Sequence, residues 1–230
     1  MVDNELDYII TRESFFDYIS GEDIYTEGVI TAASIRSRYS DIRKNLSKIN
    51  KLTKKAEYDE AIALCRTTKD MIAKCYKDLE NIEQSDLASA KNIMDAIIDD
   101  AVTNKLIGII AYTIGNANSK RNIDKKIDKA GLNKDHPFVN AARNTRARKD
   151  GLYARDVATR MHKSYSAGKY IGAGASSIIH KKKNNPESKI SISDFDTVRR
   201  DAQNYLLKLS IKLKKLLEKL IEAKKEASKQ

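Results

Sequence analysis

The sequence predicts an all-α protein, and three observations carry the prediction. Apolar side chains recur in steps of three and four along most of the 230 residues. Only two prolines and nine glycines interrupt them, and tryptophan is absent. Charged residues make up 33% of the chain, a composition that suits long helices better than a β-sandwich or an α/β enzyme. The architecture expected is an elongated helical bundle with an antiparallel coiled-coil-like hairpin, a long C-terminal helix and a basic, partly irregular insertion. Residues 1–118 make an N-terminal helix and a three-helix part of the bundle. Residues 119–189 form the Gly/Lys/Arg-rich insertion with short helices, and 190–230 form a long helix that packs back on the bundle.

The C-terminal stretch organises the rest. Ser193 is a suitable N-cap, with the acidic Asp196 in the first turn. Val198, Ala202, Tyr205, Leu209, Leu213, Leu216, Leu220, Ala223 and Ala227 then follow helical spacing, and Leu206, Leu207, Ile211, Leu217 and Ile221 widen the stripe. A helix about 50 Å long with so broad an apolar face needs partners of similar length.

Residues 3–27 carry a short helical pattern (Leu6, Ile9, Ile10, Phe15, Phe16) broken by Gly21 and Gly28. From Thr31 a long helix begins, with a narrow seam of Ile35, Tyr39, Ile42, Leu46, Ile49 and Leu52. The phase changes over Thr53 to Glu57, and a second seam follows: Tyr58, Ala61, Cys65, Thr68, Ile72, Cys75, Leu79 and Ile82. Two seams of matched length with a short link predict an αα-hairpin. Cys65 and Cys75 both lie on the seam as small apolar fillers, too far apart along one helix to pair. The string Ala56-Glu-Tyr-Asp-Glu-Ala-Ile resembles the start of a second tetratricopeptide helix. It occurs once with no 34-residue period, so that family is not assigned.

Ser85 or Asp86 caps a third helix running to about Asn116, with Leu87, Ala90, Met94, Ile97 and Ala101 on one face and Ile98, Val102, Leu106, Ile109 and Ile110 widening it. Gly108 and Gly115 either admit a close backbone or loosen the end, and Asn116, Asn118 and Ser119 read as a stop. Beyond it lies the basic block. Between Ser119 and Lys183 there are seventeen Lys and Arg against five Asp, whereas the rest of the chain is near neutral, so the net charge of +11 belongs to one region. Ile123, Ile127 and Ala130 make a two-turn piece stopped by Gly131, and Pro137 suits the first turn of a new helix. Phe138, Ala141, Ala142, Thr145, Leu152, Val157, Met161 and Tyr165 predict one or two short helices. Gly168 to Ser177 reads as a small-residue loop and Lys181 to Pro186 as a charged linker.

Little points to catalysis. Asp95 and Asp99 lie one turn apart on the third helix, but no Glu-x-x-His accompanies them. His136, His162 and His180 lack partners at ligand spacing. Gly172-Ala-Gly174 is half a dinucleotide fingerprint without its third glycine or its strand, and no Gly-x-Ser-x-Gly elbow occurs. No catalytic residue, cofactor or metal is expected, and a non-enzymatic structural or interaction role is. The polyanion-binding candidates are Lys120, Arg121, Lys125, Lys126, Arg143, Arg146, Arg148, Lys149, Arg155, Arg160, Lys163, Lys181, Lys182 and Lys183. Arg148, Arg155 and Lys163 share a side if 140–165 is helical, with Arg143 and Arg146 near it. Tyr153, Tyr165 and Tyr170 are interleaved as stacking candidates.

The acidic, polar start (Met1-Val-Asp-Asn-Glu) predicts no signal peptide, and Leu106 to Ile114 is too short for a membrane span. Two thiols without a framework point to a reducing, cytoplasmic setting. In its Lys, Asn and Ile richness, its small size and its lack of an enzyme motif, the chain resembles the helical virion-associated or internal proteins of tailed phages. That resemblance implies a virion location, with the basic block against packaged DNA or an acidic capsid surface. The partners expected are other protein subunits, copies of itself or a larger assembly. The alternative is a sequence-nonspecific DNA- or RNA-backbone binder with the bundle as scaffold.

Overall fold

Thr31 starts the first helix as predicted. The backbone N–H of Ser34 donates to Thr31 Oγ1 at 3.2 Å, and that of Ile35 to the Thr31 carbonyl, the pattern of an N-cap. The computed structural model describes residues 30–82, 87–98, 101–166 and 192–228, with the side chains of all but 87–91, 160–166 and 192–194. These residues form six α-helices and no strand: α1 (Ala32–Lys54), α2 (Tyr58–Glu80), α3 (Leu87–Ile98), α4 (Ala101–Lys129), α5 (Pro137–Ser166) and α6 (Ile192–Ala227). The all-α class is therefore as the periodicity indicates. The helix expected over 3–27, the cap at Ser85 or Asp86, Asp99, His180, the Gly168 to Ser177 loop and the Lys181 to Pro186 linker lie outside the described residues.

α1 ends where its stripe changes phase. Glu57 N–H donates to the Leu52 carbonyl and Ala56 N–H to that of Thr53, a Schellman closure with Ala56 in the left-handed region at φ 62°. α4 closes in the same way: Leu132 N–H reaches the Ile127 carbonyl, Gly131 N–H that of Asp128, and Gly131 has φ 63°. His136 then accepts from Asn140 N–H and Pro137 takes the first helical position, as the sequence predicts.

The described residues fall into two compact units. The first takes α1 through Ile42, α2 from Thr68, α3, and α6 through Ile211. Its core is Ile35, Tyr39 and Ile42, Ile72, Cys75 and Leu79, Ile93, Met94 and Ile97, and Phe195, Val198, Ala202 and Leu206, all buried. Arg38 pairs with Asp78, whose side chain is 2% exposed. Burial pushes the Cys75 thiol up to about 12, with nearby Arg38 opposing it.

The second unit takes the rest of α1, α2 and α6, together with α4 and with α5 through Ser164. Leu46, Ile49, Tyr58, Ala61, Cys65, Ile107, Ile110, Ile114, Leu213, Leu216 and Leu220 are buried in it. The Cys65 thiol donates to the Leu213 carbonyl at 3.7 Å. Every seam residue predicted for α1 and α2 is thus buried.

α6 is more deeply enclosed than its stripe suggests: from Asp201 to Leu213 all but Asn204 are buried, Lys208 and Lys212 included. Lys212 Nζ donates to Asn104 Oδ1 at 2.7 Å. Lys208 is 7% exposed, and burial lowers its pKa to about 8, with the Asp201 carboxylate opposing the shift. Between about 8 and the ordinary 10.5 only the unfolded chain holds this proton, so stability gained from this group rises with pH in that window. Cys75 acts in the opposite sense from 9 to about 12, because there the folded chain alone keeps the proton and stability falls. Lys208→Met is expected to stabilise the protein at pH 7 by about 1–2 kcal/mol, after discounting for solvent screening, and to remove the rise that begins near pH 8. Denaturant melts of both proteins from pH 7 to 10 check this; a less stable variant with an unchanged pH profile would contradict it.

Four expectations are corrected. The helical run does not stop at Asn116 to Ser119, since α4 continues to Lys129. The polar residues that suggested a stop are satisfied where they stand: Ser119 Oγ donates to Asp150 Oδ2 at 2.7 Å, and Asn118 Oδ1 accepts from Arg121. Residues 137–166 form one 30-residue helix in place of one or two short ones. α6 includes Ile192, so Ser193 lies inside its first turn and is not its N-cap. Val102, expected to widen an inner face, is exposed.

Candidate polyanion-binding face

α4 and α5 run antiparallel, joined by residues 130–136, and small residues set their contact. A Cβ at Gly115 would lie 2.6 Å from Ala154 Cβ and 3.3 Å from the Asp150 carbonyl oxygen. One at Gly151 would lie 2.9 Å from the Tyr112 ring, and one at Gly108 2.9 Å from Thr159 Cγ2. The sequence offers this close approach as one of two meanings for Gly108 and Gly115, and it is the one the fold uses. Ala147 and Gly151 are buried, with Ala154 and Ala158 half-buried beside them, a spacing of four, three and four residues.

That seam turns the large side chains of α5 outward. Phe138 is 82% exposed and Tyr153 68%, with Leu152 and Val157 also exposed. The larger residues that suggested helices here, Phe138, Leu152 and Val157, lie away from the seam, and the side chains of Met161 and Tyr165 lie outside those described. The reason is steric: backbones drawn together over glycine and alanine leave no room between them for phenylalanine or leucine. The His136 ring stacks on Phe138 with centroids 5.8 Å apart.

The predicted cations separate into three sets. Arg143 makes a two-pronged pair with Asp124, both contacts at 2.6 Å, on the inner side of α5 and away from Arg148. Arg146 reaches Asp150 at 3.3 Å, and Lys125 reaches Glu226 at 2.9 Å. Arg121 donates to Tyr58 Oη at 2.8 Å and to the Ala223 carbonyl at 3.0 Å, and lies over the Tyr58 ring. These four already have partners within the second unit, Arg146 through an exposed pair on its own helix.

Arg148, Lys149 and Arg155 on α5 and Lys126 in the last turn of α4 are exposed, and none pairs with an acid among the described residues. Lys120 is half-buried. Arg160, Lys163 and Tyr165 lie on the α5 backbone without described side chains; Lys181, Lys182, Lys183 and Tyr170 lie outside the described residues. At 3.6 residues per turn Phe138, Lys149 and Tyr153 fall within a sector of about 60°, and Arg148 and Arg155 line one flank, Arg155 about 160° from Tyr153 with its Cγ 3.3 Å from where a Gly108 Cβ would stand. The outer face of α5 is therefore cationic, with large apolar and aromatic side chains among the charges.

Comparison with protein-family models, curated proteins and solved structures finds no match to this chain. The site's chemistry is left to its geometry. Among the described residues, no group of three or more His, Cys, Asp and Glu is placed to hold a metal ion, and no helix is long and apolar enough to cross a membrane.

Sequence reasoning missed the outward role of Phe138, Leu152 and Val157. The signal was there: Gly108 and Gly115 are seven residues apart, and Ala147, Gly151, Ala154 and Ala158 mark a second small-residue stripe.

Proposed function

We propose that this is a non-enzymatic interaction protein in which a helical scaffold presents the outer face of α5 to a polyanion, without sequence readout. One observation carries the reading. Lys149 stands exposed on the same face as Phe138 and Tyr153, with Arg148 and Arg155 exposed along one flank, while the neighbouring Arg143 and Arg146 are already paired with Asp124 and Asp150. Across α5 there are seven Lys and Arg against two Asp, which favours an anionic partner over a neutral one. Guanidinium and ammonium groups held on a helix suit phosphate oxygens, whose spacing along a backbone needs no base contact. The likeness in texture to internal phage proteins supports a place for such a face within a larger assembly.

The test is a salt titration of binding to a mixed-sequence nucleic acid. Affinity is expected to fall linearly on a log–log plot, and Arg148→Gln/Lys149→Gln/Arg155→Gln is expected to flatten the slope by about three. Arg146→Gln, at a residue already paired, is expected to change it by less than one. Salt-independent binding, or a triple variant with the parent slope, would contradict the reading.

A further inference from the structure

We infer that the ligand of the α5 outer face is single-stranded nucleic acid in preference to duplex, an inference that rests on the polyanion-binding reading above. The cations alone do not distinguish the two, because both present phosphates. The rings do. Phe138 and Tyr153 stand exposed on a face that also holds Lys149, with Arg148 and Arg155 along one flank, the two rings about 22 Å apart along the axis at 1.5 Å per residue. In a duplex the base faces are covered by their neighbours, and a ring on the flank of a helix meets only sugar and phosphate. In a single strand each base offers an open face, and a ring beside a cation is the arrangement that holds it without regard to sequence.

Other occupants fit less well. A second copy packed face to face would set Arg148, Lys149 and Arg155 against their own equivalents, a like-charge contact. An acidic helix would satisfy the charges, yet it gains little from Phe138, whose ring stacks on His136 at the start of α5 and leaves its other face open to a planar partner. Base reading is not part of the inference, because stacking on the open face of a ring holds any base.

The experiment uses the full chain and fluorescence anisotropy with labelled oligothymidylate, a mixed-sequence duplex of equal length, and polyglutamate as an acidic-protein surrogate, all at one moderate salt concentration. The single strand is expected to bind at least tenfold more tightly than the duplex. Phe138→Ala and Tyr153→Ala are each expected to weaken single-strand binding between about fivefold and a hundredfold. Both should leave duplex binding within twofold, and Tyr153→Phe should retain parental affinity. Both rings are exposed, so helicity by circular dichroism should match the parent and report folding. Equal affinity for strand and duplex, both salt-dependent, overturns this inference and leaves the polyanion reading standing. Polyglutamate binding more tightly than either nucleic acid overturns the inference in favour of a protein partner. Absence of binding to all three overturns both.

Discussion

Replacing Arg38 with methionine is expected to cost about 3–5 kcal/mol of stability, the largest effect of any single change considered. Asp78 lies on α2 with its side chain 2% exposed, and Arg38 on α1 pairs with it. Removing the cation leaves a carboxylate in a low-dielectric site, where desolvation is no longer offset. The same guanidinium is the group that opposes the upward shift at Cys75. The double change Arg38→Met/Asp78→Leu removes both charges and is expected to recover most of the loss, since an apolar pair of similar volume frequently equals a buried ion pair. Chemical denaturation of the parent, both single variants and the double variant measures the coupling. A single variant within 1 kcal/mol of the parent would contradict the assignment.

Gly115→Leu is the second. Its Cβ would meet Ala154 Cβ at 2.6 Å and the backbone of Asp150 and Gly151 at 3.3 and 3.4 Å, so neither backbone nor β-carbon can rotate away. Overpacking of this kind costs about 1–3 kcal/mol. Relief comes only by moving α5 off α4, which also strains the Ser119–Asp150 hydrogen bond and the Arg143–Asp124 pair. Because α5 carries the cationic face, the polyanion affinity is expected to fall along with the melting temperature. Unchanged melting and binding would show that the seam does not hold the helix.

The long seams were legible because the side chains that fill them are large and unambiguous. Ile35 through Leu52 and Tyr58 through Ile82 are buried along the predicted stripes, and the same holds for Val198 through Ala223 on α6. The α4–α5 hairpin was not legible, because size misled the pattern. Phe138, Leu152 and Val157 signal helix without showing which side packs, while the residues that make the contact are glycine and alanine, which a hydrophobic periodicity hardly registers. The apparent stop at Asn116 to Ser119 arose from the same cause: a glycine needed for close approach stands near polar residues, one of which, Ser119, has its partner 31 residues away.

Charge was legible in its location and not in its use. The sequence places the excess in one block, but it does not tell Arg143, held by Asp124 across the hairpin, from Arg148, which faces water. That distinction depends on which side of α5 faces α4, and it narrows the candidate face to a few residues.

That orientation is best measured by an exchange of one methyl group across the seam, through equilibrium unfolding of the parent, Gly115→Ala, Ala154→Gly and the double variant. The close approach predicts that Gly115→Ala destabilises the parent but is neutral or stabilising once Ala154 is glycine, where the ordinary helical preference for alanine, about 1 kcal/mol, is no longer opposed. If Gly115→Ala instead stabilises the parent by about that amount, Gly115 faces open space, α5 is not docked over it, and the outward face proposed for binding does not exist as described.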